Sequence, residues 1–359
     1  MSRTAVTYHI IGGGIAGLSA AKFIKDKNPE NHVILYEAAH KLGGRCFSFY
    51  DAKLDRTIDN ATHVILGANK NVRALTGELE FDGRARFWNG QYCDNQAQKF
   101  AGHILLSVFN TQPEDIGKNL TRKLFWKLFP FMPAQLKVYF SKGNLSAKLV
   151  EPLSRYADEI RLGHVLQQAE ISKKYIQTLI FNKGKVAVGP KDKIICALDA
   201  AAYKRVFGGE EFEFNEICNV FFRTSTSLSL PDEASFAATP DNIGDWIFIN
   251  DDVVGVTISD SGSITESDDE LARLLWKEIR AIRGLKPAFL PPYRVMRYPQ
   301  ATIRQDDVNN QKRPNSAAGP YKNMALAGDW TMKNWPCCLE AAVVSAKRAV
   351  DLCIKYKHI

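Results

Sequence analysis

A chain of 359 residues, 45% of them apolar, is long enough to bury the cores of two interleaved domains, which excludes a disordered protein. Its formal charge of +8 attracts anions, but the basic residues are mixed with acidic ones and no nucleic-acid motif is present, which leaves lipid headgroups and acidic substrates ahead of nucleic acid. No apolar run reaches the roughly 18–20 residues of a membrane span, no signal-peptide pattern opens the chain, and the seven cysteines are scattered without CxxC spacing, so a cytoplasmic protein with reduced thiols is expected, without a disulfide framework or zinc site.

Residues 5–11 are β-prone and apolar, residues 15–27 carry Leu18, Ala21 and Ile24 at helical spacing, and residues 32–36 are a second β-prone run. This βαβ unit is broken after its helix by Asn28-Pro29. Gly12-Gly13-Gly14-Ile15-Ala16-Gly17 joins strand to helix in the G-x-G-x-x-G arrangement. Gly12 makes the tight turn, Gly14 leaves no side chain in the way of a pyrophosphate, and Gly17 lets the helix lie close to the sheet. The helix N-terminus, with Ile15 and Ala16 in its first turn, then faces a dianion. Glu37 lies 20 residues beyond Gly17, where a carboxylate accepts from both hydroxyls of an adenosine ribose and repels a 2′-phosphate. A glycine turn and a surface glutamate alone would carry no such meaning. The second turn, Gly43-Gly44-Arg45, points to FAD rather than NAD: the glycines pass beneath the cofactor and Arg45 neutralises phosphate charge.

Residues 66–137 lack βα alternation and are rich in aromatic and basic residues, as an inserted substrate region would be. Within residues 119–140, Arg122, Lys123, Lys127 and Lys137 alternate with Leu124, Phe125, Trp126, Leu128, Phe129, Phe131 and Met132. That composition suits a helix lying on anionic lipid, broken at Pro130 and Pro133, and equally a tunnel wall. Residues 176–181 and 186–188 flank a turn at Asn182-Lys183-Gly184, a β-meander followed by a buried strand at 194–198. Residues 220–222, 246–249 and 253–258 are strand-like and 266–283 helical, which suits a sheet-bearing substrate domain. Residues 324–330 form a buried strand ending in Gly328-Asp329, and a long helix is predicted over 339–355. There the glycine permits backbone approach, Asp329 reaches a ribityl or phosphate group, and the helix N-terminus stabilises negative charge on a reduced flavin.

These segments together resemble the flavin amine oxidase and carotenoid desaturase superfamily, and within it the hydroxysqualene dehydroxylases, also described as squalene-associated FAD-dependent desaturases. The likeness rests on the Gly12 to Arg45 block, on Asp59-Asn60-Ala61-Thr62-His63, on Asp245-Trp246, Ala301-Thr302 and Arg313-Pro314, and on Gly328-Asp329-Trp330-Thr331 followed by Pro336 and Glu340. Ala61, Trp335, Cys337-Cys338 and Ala341 depart from the family pattern, and the chain is short between His63 and Ile171. The resemblance implies an α/β chain whose Rossmann-like, GR2-type FAD-binding domain (1–68, 138–205 and 310–359) is interleaved with an α+β substrate domain (69–137 and 206–309). FAD would be held non-covalently, with Ala38, Ile171, Pro336, Leu339 and Glu340 joining the cofactor contacts. It also implies reductive removal of the hydroxyl of hydroxysqualene to give squalene, on a route to hopanoids. An acid would help an allylic hydroxyl leave, and hydride from reduced flavin would quench the cation. His63 is the candidate donor or hydroxyl-orienting group, Asp59 its partner and Asn60 a positioning residue; alternatively, Asp59 and Asn60 pin the loop beneath the cofactor. NADPH is the candidate reductant, although no second nucleotide fingerprint is present. A carotenoid-type desaturase, an amine oxidase and a non-catalytic prenyl-lipid carrier are the rival readings; Cys338, where amine oxidases often have a cage aromatic, weakens the amine one. A peripheral position on the inner face of a membrane fits the basic segment. Cys337-Cys338 read as packing thiols.

Overall fold

The computed structural model describes residues 5–76, 86–88, 92–94, 101–128, 138–140, 144–230, 236–239, 242–283 and 289–355. Five parallel strands form one sheet in the order Met324–Leu326, Lys193–Cys196, Thr7–Ile11, His32–Glu37 and Glu159–Leu162, so all five C-terminal tips lie on one side. Period-two alternation assigns its two faces. Ile10, Leu35, Ile195 and Ala325 face the Ile15–Lys27 and Leu339–Lys355 helices. Ile11, Tyr36, Ile194 and Cys196 face a three-stranded meander of Leu166–Ser172, Tyr175–Phe181 and Gly184–Ala187. Both helices have the bounds their periodicity predicts. The strand expected over 324–330 stops at Leu326, because Gly328 takes a φ of +131° and residues Asp329–Thr331 turn as a single 3₁₀ unit.

A second sheet runs in the order Tyr293–Ile303, Phe214–Arg223, Val253–Ser259, Trp246–Asn250, Phe236–Ala238, Arg86–Trp88 and Tyr92–Asp94. Cys218, Val220, Phe222, Val254 and Val256 on one face pack on Leu271, Leu275 and Ile279 of the Asp268–Arg283 helix. The opposite, inner face carries Phe221, Phe236, Trp246 and Phe248. It covers Leu54 and Ile58 of a hairpin, Ser48–Asp51 and Arg56–Asp59, and Leu66 beyond it. The long Tyr293–Ile303 strand contains Pro299, which lies where the register with Phe214–Arg223 shifts; a proline is tolerated at such an irregularity because no ladder bond is asked of it. In the basic segment, a helix spans Lys118–Leu128, with Leu120 buried against Phe109 and Ile116. Phe129, Pro130, Phe131, Met132, Pro133 and Lys137 lie outside the described residues, and with them the predicted break. No described helix is long and apolar enough to cross a membrane.

Candidate functional site

The functional residues gather at the C-terminal tips of the parallel sheet, where strand order diverges on either side of Thr7–Ile11, the position at which open α/β sheets bind ligands. Gly12 takes a φ of +111°, and a Cβ on Gly17 would collide with its carbonyl oxygen, so the helix closes onto the turn only because Gly17 has no side chain. Gly14 is the N-cap of that helix, and no side chain caps it. Buried Ile15 and Ala16 occupy the first turn, whose amides are the orphan donors of a helix N-terminus. The second glycine turn stacks on the first: the Gly43 amide donates to the Gly13 carbonyl at 2.9 Å, and a Cβ on Gly44 would lie 3.0 Å from Gly14 Cα.

Glu37 closes the adenosine end. Its carboxylate accepts from the Gly13 amide at 2.6 Å and from the Ala39 amide at 2.8 Å, so the residue expected at the ribose also fixes the glycine turn. Ala38 lies between, and the Gly163 and His164 amides donate to the Ala39 and Glu37 carbonyls at 3.0 and 2.8 Å. An uncapped helix N-terminus, a cradle that a Cβ would fill and a carboxylate at the second strand tip fit the ADP half of FAD. Ile171 does not join them. It lies on the meander with its side chain 46% exposed and pairs with Ile176, whose amide is held by Asn323 ahead of the last sheet strand, at the edge opposite the tips. Gly163 and His164, whose amides bond the Glu37–Ala39 segment, lie beside that end instead.

The other half joins residues from both ends of the chain. Arg45 donates to the Ala301 carbonyl at 2.5 Å and to Asp329 Oδ2 at 2.7 Å. The Asp329 charge holds the guanidinium firmly protonated, and half of the Arg45 side chain is exposed. Gly328 is fixed by its amide donating to Ser345 Oγ at 2.8 Å, and Trp330 Nε1 donates to the Leu198 carbonyl at 2.9 Å. Beneath this turn lies Arg313, fully buried, which donates to the carbonyls of Asp329, Trp330 and Trp335 at 2.7, 3.1 and 2.7 Å. Buried Gln305 accepts from the Cys337 amide at 2.9 Å and donates to the Phe109 carbonyl at 2.6 Å. Neither role was legible in the sequence, where Arg313-Pro314 carried only a likeness.

Three expectations meet different geometry. Buried Glu340 accepts from the Asn71 amide, Asn71 Nδ2 and the Val72 amide at 3.1, 2.7 and 3.0 Å, so its carboxylate caps the Lys70–Thr76 helix. Pro336 and Leu339, partly buried, lead into the last helix beside it. Asp59 accepts from Ser48 Oγ at 2.5 Å and the Leu145 amide at 2.9 Å and makes no hydrogen bond to His63. Asn60 accepts from the Phe47 amide at 3.0 Å and donates to the Arg45 carbonyl at 2.6 Å. His63 Nε2 lies 3.0 Å from the same carbonyl, and since a carbonyl only accepts, this nitrogen carries the hydrogen. The neutral ring then presents Nδ1 as an acceptor, and burial lowers the histidine below its ordinary value despite the nearby Asp59 charge. These groups tie the 45–48 loop down, and a cationic donor at His63 is opposed. Cys46, Cys196, Cys218, Cys337, Cys338 and Cys353 are free; burial pushes the Cys337 thiol up to about 12, as for a packing thiol.

Comparison with known proteins gives the site its chemistry. Residues 10–79 match the NAD(P)-binding Rossmann-like domain, and residues 103–354 match Flavin containing amine oxidoreductase. The chain belongs to the flavin-containing amine oxidoreductase family. It is an FAD-dependent oxidoreductase. It is similar to the hydroxysqualene dehydroxylase of Sinorhizobium fredii, 27% identical over 96% of this chain and 98% of that one. The hydroxysqualene dehydroxylases of Rhodopseudomonas palustris and Zymomonas mobilis are 25% and 24% identical, over 96% and 97% of this chain and 98% and 99% of theirs. The first match spans 414 aligned positions against a chain of 359 residues, so that relative carries segments this chain lacks. Among solved structures, cyclohexylamine oxidase from Brevibacterium oxydans superposes with a TM-score of 0.70 at 12% identity, over 98% of this chain and 99% of that one. An oxidoreductase from Methanosarcina mazei gives 0.68 at 11%, over 98% and 100%. This FAD oxidoreductase therefore shares its whole fold with amine-oxidising enzymes while its sequence lies nearer the dehydroxylases.

Proposed function

We propose that this flavoenzyme reductively dehydroxylates hydroxysqualene to squalene. The observation that carries the reading is the end-to-end similarity to relatives of that name, which covers 96–97% of this chain. Phe248 stacks on both Phe236 and Trp246 on the inner face of the second sheet, and only Trp246 of the three is partly exposed, which makes the surroundings of the site apolar. In this reaction the carbon–oxygen bond breaks, the hydroxyl takes up a proton from solvent and leaves as water, and a hydride replaces it at carbon. Bound FAD, once reduced, supplies the two electrons as hydride-transfer chemistry. Glu37, Gly14 and the amides of Ile15 and Ala16 would hold its ribose and phosphates, and Arg45, Gly328 and Asp329 its other half. Asp59, Asn60 and His63 act as the pins of the loop beneath it rather than as an acid. We divide the chain at residues 68, 138, 205 and 310 between the FAD-binding and substrate parts, take the reductant to be NADPH, and place exposed Arg122 and Lys123 against anionic lipid.

Two features favour an enzyme over a lipid carrier or an amine oxidase: a complete cofactor cradle and Cys338 two residues before Glu340. The test is anaerobic addition of hydroxysqualene to the chemically reduced holoenzyme. Return of oxidised-flavin absorbance with hydroxysqualene, and not with squalene or an alkylamine, is the expected result. Flavin that stays reduced with hydroxysqualene would overturn the proposal.

A further inference from the structure

The inner face of the second sheet carries one polar pair whose hydrogen bonding is incomplete among the described residues. On the Phe214–Arg223 strand, Asn219 is 1% exposed and stands opposite Thr257 on one side and Met296 on the other. Thr257 Oγ1 donates to Asn219 Oδ1 at 2.8 Å. Asn219 Nδ2 is buried without a hydrogen-bond partner among the described residues. A buried amide donor left unpaired costs free energy, so a fold that retains one in apolar surroundings has a use for it.

Strand register places the pair on the face turned toward the cofactor loop. Gly255, two residues before Thr257, shares that face, and a Cβ built there would lie 3.2 Å from Phe221 and 3.9 Å from Thr62 Oγ1, next to His63. Trp246 stands opposite Thr257 across the next strand pair. Thr257 is only half-buried, whereas Asn219 behind it is fully buried. The Thr257 hydrogen is committed to Asn219, which leaves the Thr257 oxygen as an acceptor beside the unpaired Asn219 donor. An acceptor oxygen oriented in this way takes a hydrogen from an alcohol; a hydrocarbon has none to give.

We propose that Thr257 and Asn219 form the polar anchor that receives the hydroxyl of a hydroxylated polyprenoid, with Thr257 touching the substrate and Asn219 positioning the Thr257 hydroxyl. This specificity determinant rests on the dehydroxylase reading above. It explains how an otherwise aromatic wall distinguishes an alcohol from the alkene it becomes, and why the product, lacking the hydroxyl, is released.

The experiment compares dissociation constants of hydroxysqualene and squalene for the oxidised holoenzyme, read from perturbation of flavin fluorescence, in wild type, Thr257→Val and Asn219→Leu. Both substitutions keep the number and branching of side-chain heavy atoms, and FAD content is checked in each. One neutral hydrogen-bonded anchor should give wild type a preference for the alcohol of roughly tenfold. Both variants should lose that preference through weaker alcohol binding, with squalene binding unchanged. A wild type that binds the two ligands equally, or a Thr257→Val protein that keeps the preference, would refute the anchor while leaving the dehydroxylase reading intact. A wild type that binds neither ligand would overturn both.

Discussion

Replacing Arg313 by methionine tests how the far half of the cofactor site is held. The guanidinium is 2% exposed and donates to three main-chain carbonyls in the segment from Asp329 to Trp335. Hydrogen bonds to a charged donor contribute about 1.5–3 kcal/mol each, and removing the donor leaves three carbonyls short of a partner. Returning the arginine to water in the unfolded chain, or never burying it, recovers several kcal/mol of desolvation. The balance is a destabilisation of about 3–5 kcal/mol, comparable to breaking a buried ion pair. Because the same carbonyls shape the turn that carries Gly328 and Asp329, FAD affinity should fall with stability. Lysine at this position keeps the charge without the planar fork and should recover only part of both. The assay is thermal unfolding of apo- and holoprotein with FAD affinity by fluorescence quenching. An Arg313→Met protein with unchanged melting temperature and unchanged FAD affinity would refute the argument.

Burial pushes the Asp245 carboxyl up to about 6, against the Ser259 amide that lowers it. A carboxyl raised on folding stabilises the protein fully below about pH 3.8 and loses that contribution as pH rises through 6, so Asp245→Asn should gain up to about 3 kcal/mol over wild type between pH 4 and 7; a stability difference constant with pH would contradict this. Glu340→Ala removes the cap of the Lys70–Thr76 helix and should cost about 2 kcal/mol of stability with FAD affinity within about threefold; loss of FAD without loss of stability would return Glu340 to the cofactor. His63→Ala removes one hydrogen bond and should cost about 1 kcal/mol, with the single-turnover rate per bound FAD little changed; a fall of about a hundredfold at full FAD content would make His63 the acid after all.

The placement of the near half of the candidate site was legible because its residues are contiguous. Glycines at 12, 14 and 17, a carboxylate at a strand end and a glycine pair before Arg45 each do their work within one βαβ unit and the turn after it, where spacing determines position. The far half depends on contacts that cross the chain. Arg45 meets Asp329 across 284 residues and Ala301 across 256, and local pattern cannot encode either. Glu340 shows how local pattern misses a partner: an acidic residue in the first turn of the last helix gives no sign in sequence that its carboxylate caps the helix at Lys70–Thr76. The long strand through Pro299 was hidden for a related reason, since proline argues against a strand until the register shift that accommodates it is known. Asn219 and Thr257, 38 residues apart, are unremarkable in sequence and meaningful only as neighbours on one face.

The dehydroxylase reading meets its most direct test in the products of a single anaerobic turnover. Fully reduced holoenzyme mixed with excess hydroxysqualene, quenched and extracted, should yield one squalene per bound FAD, with the flavin oxidised in the same proportion. Hydroxysqualene recovered intact over reduced flavin, or flavin oxidised with no squalene formed, would contradict it.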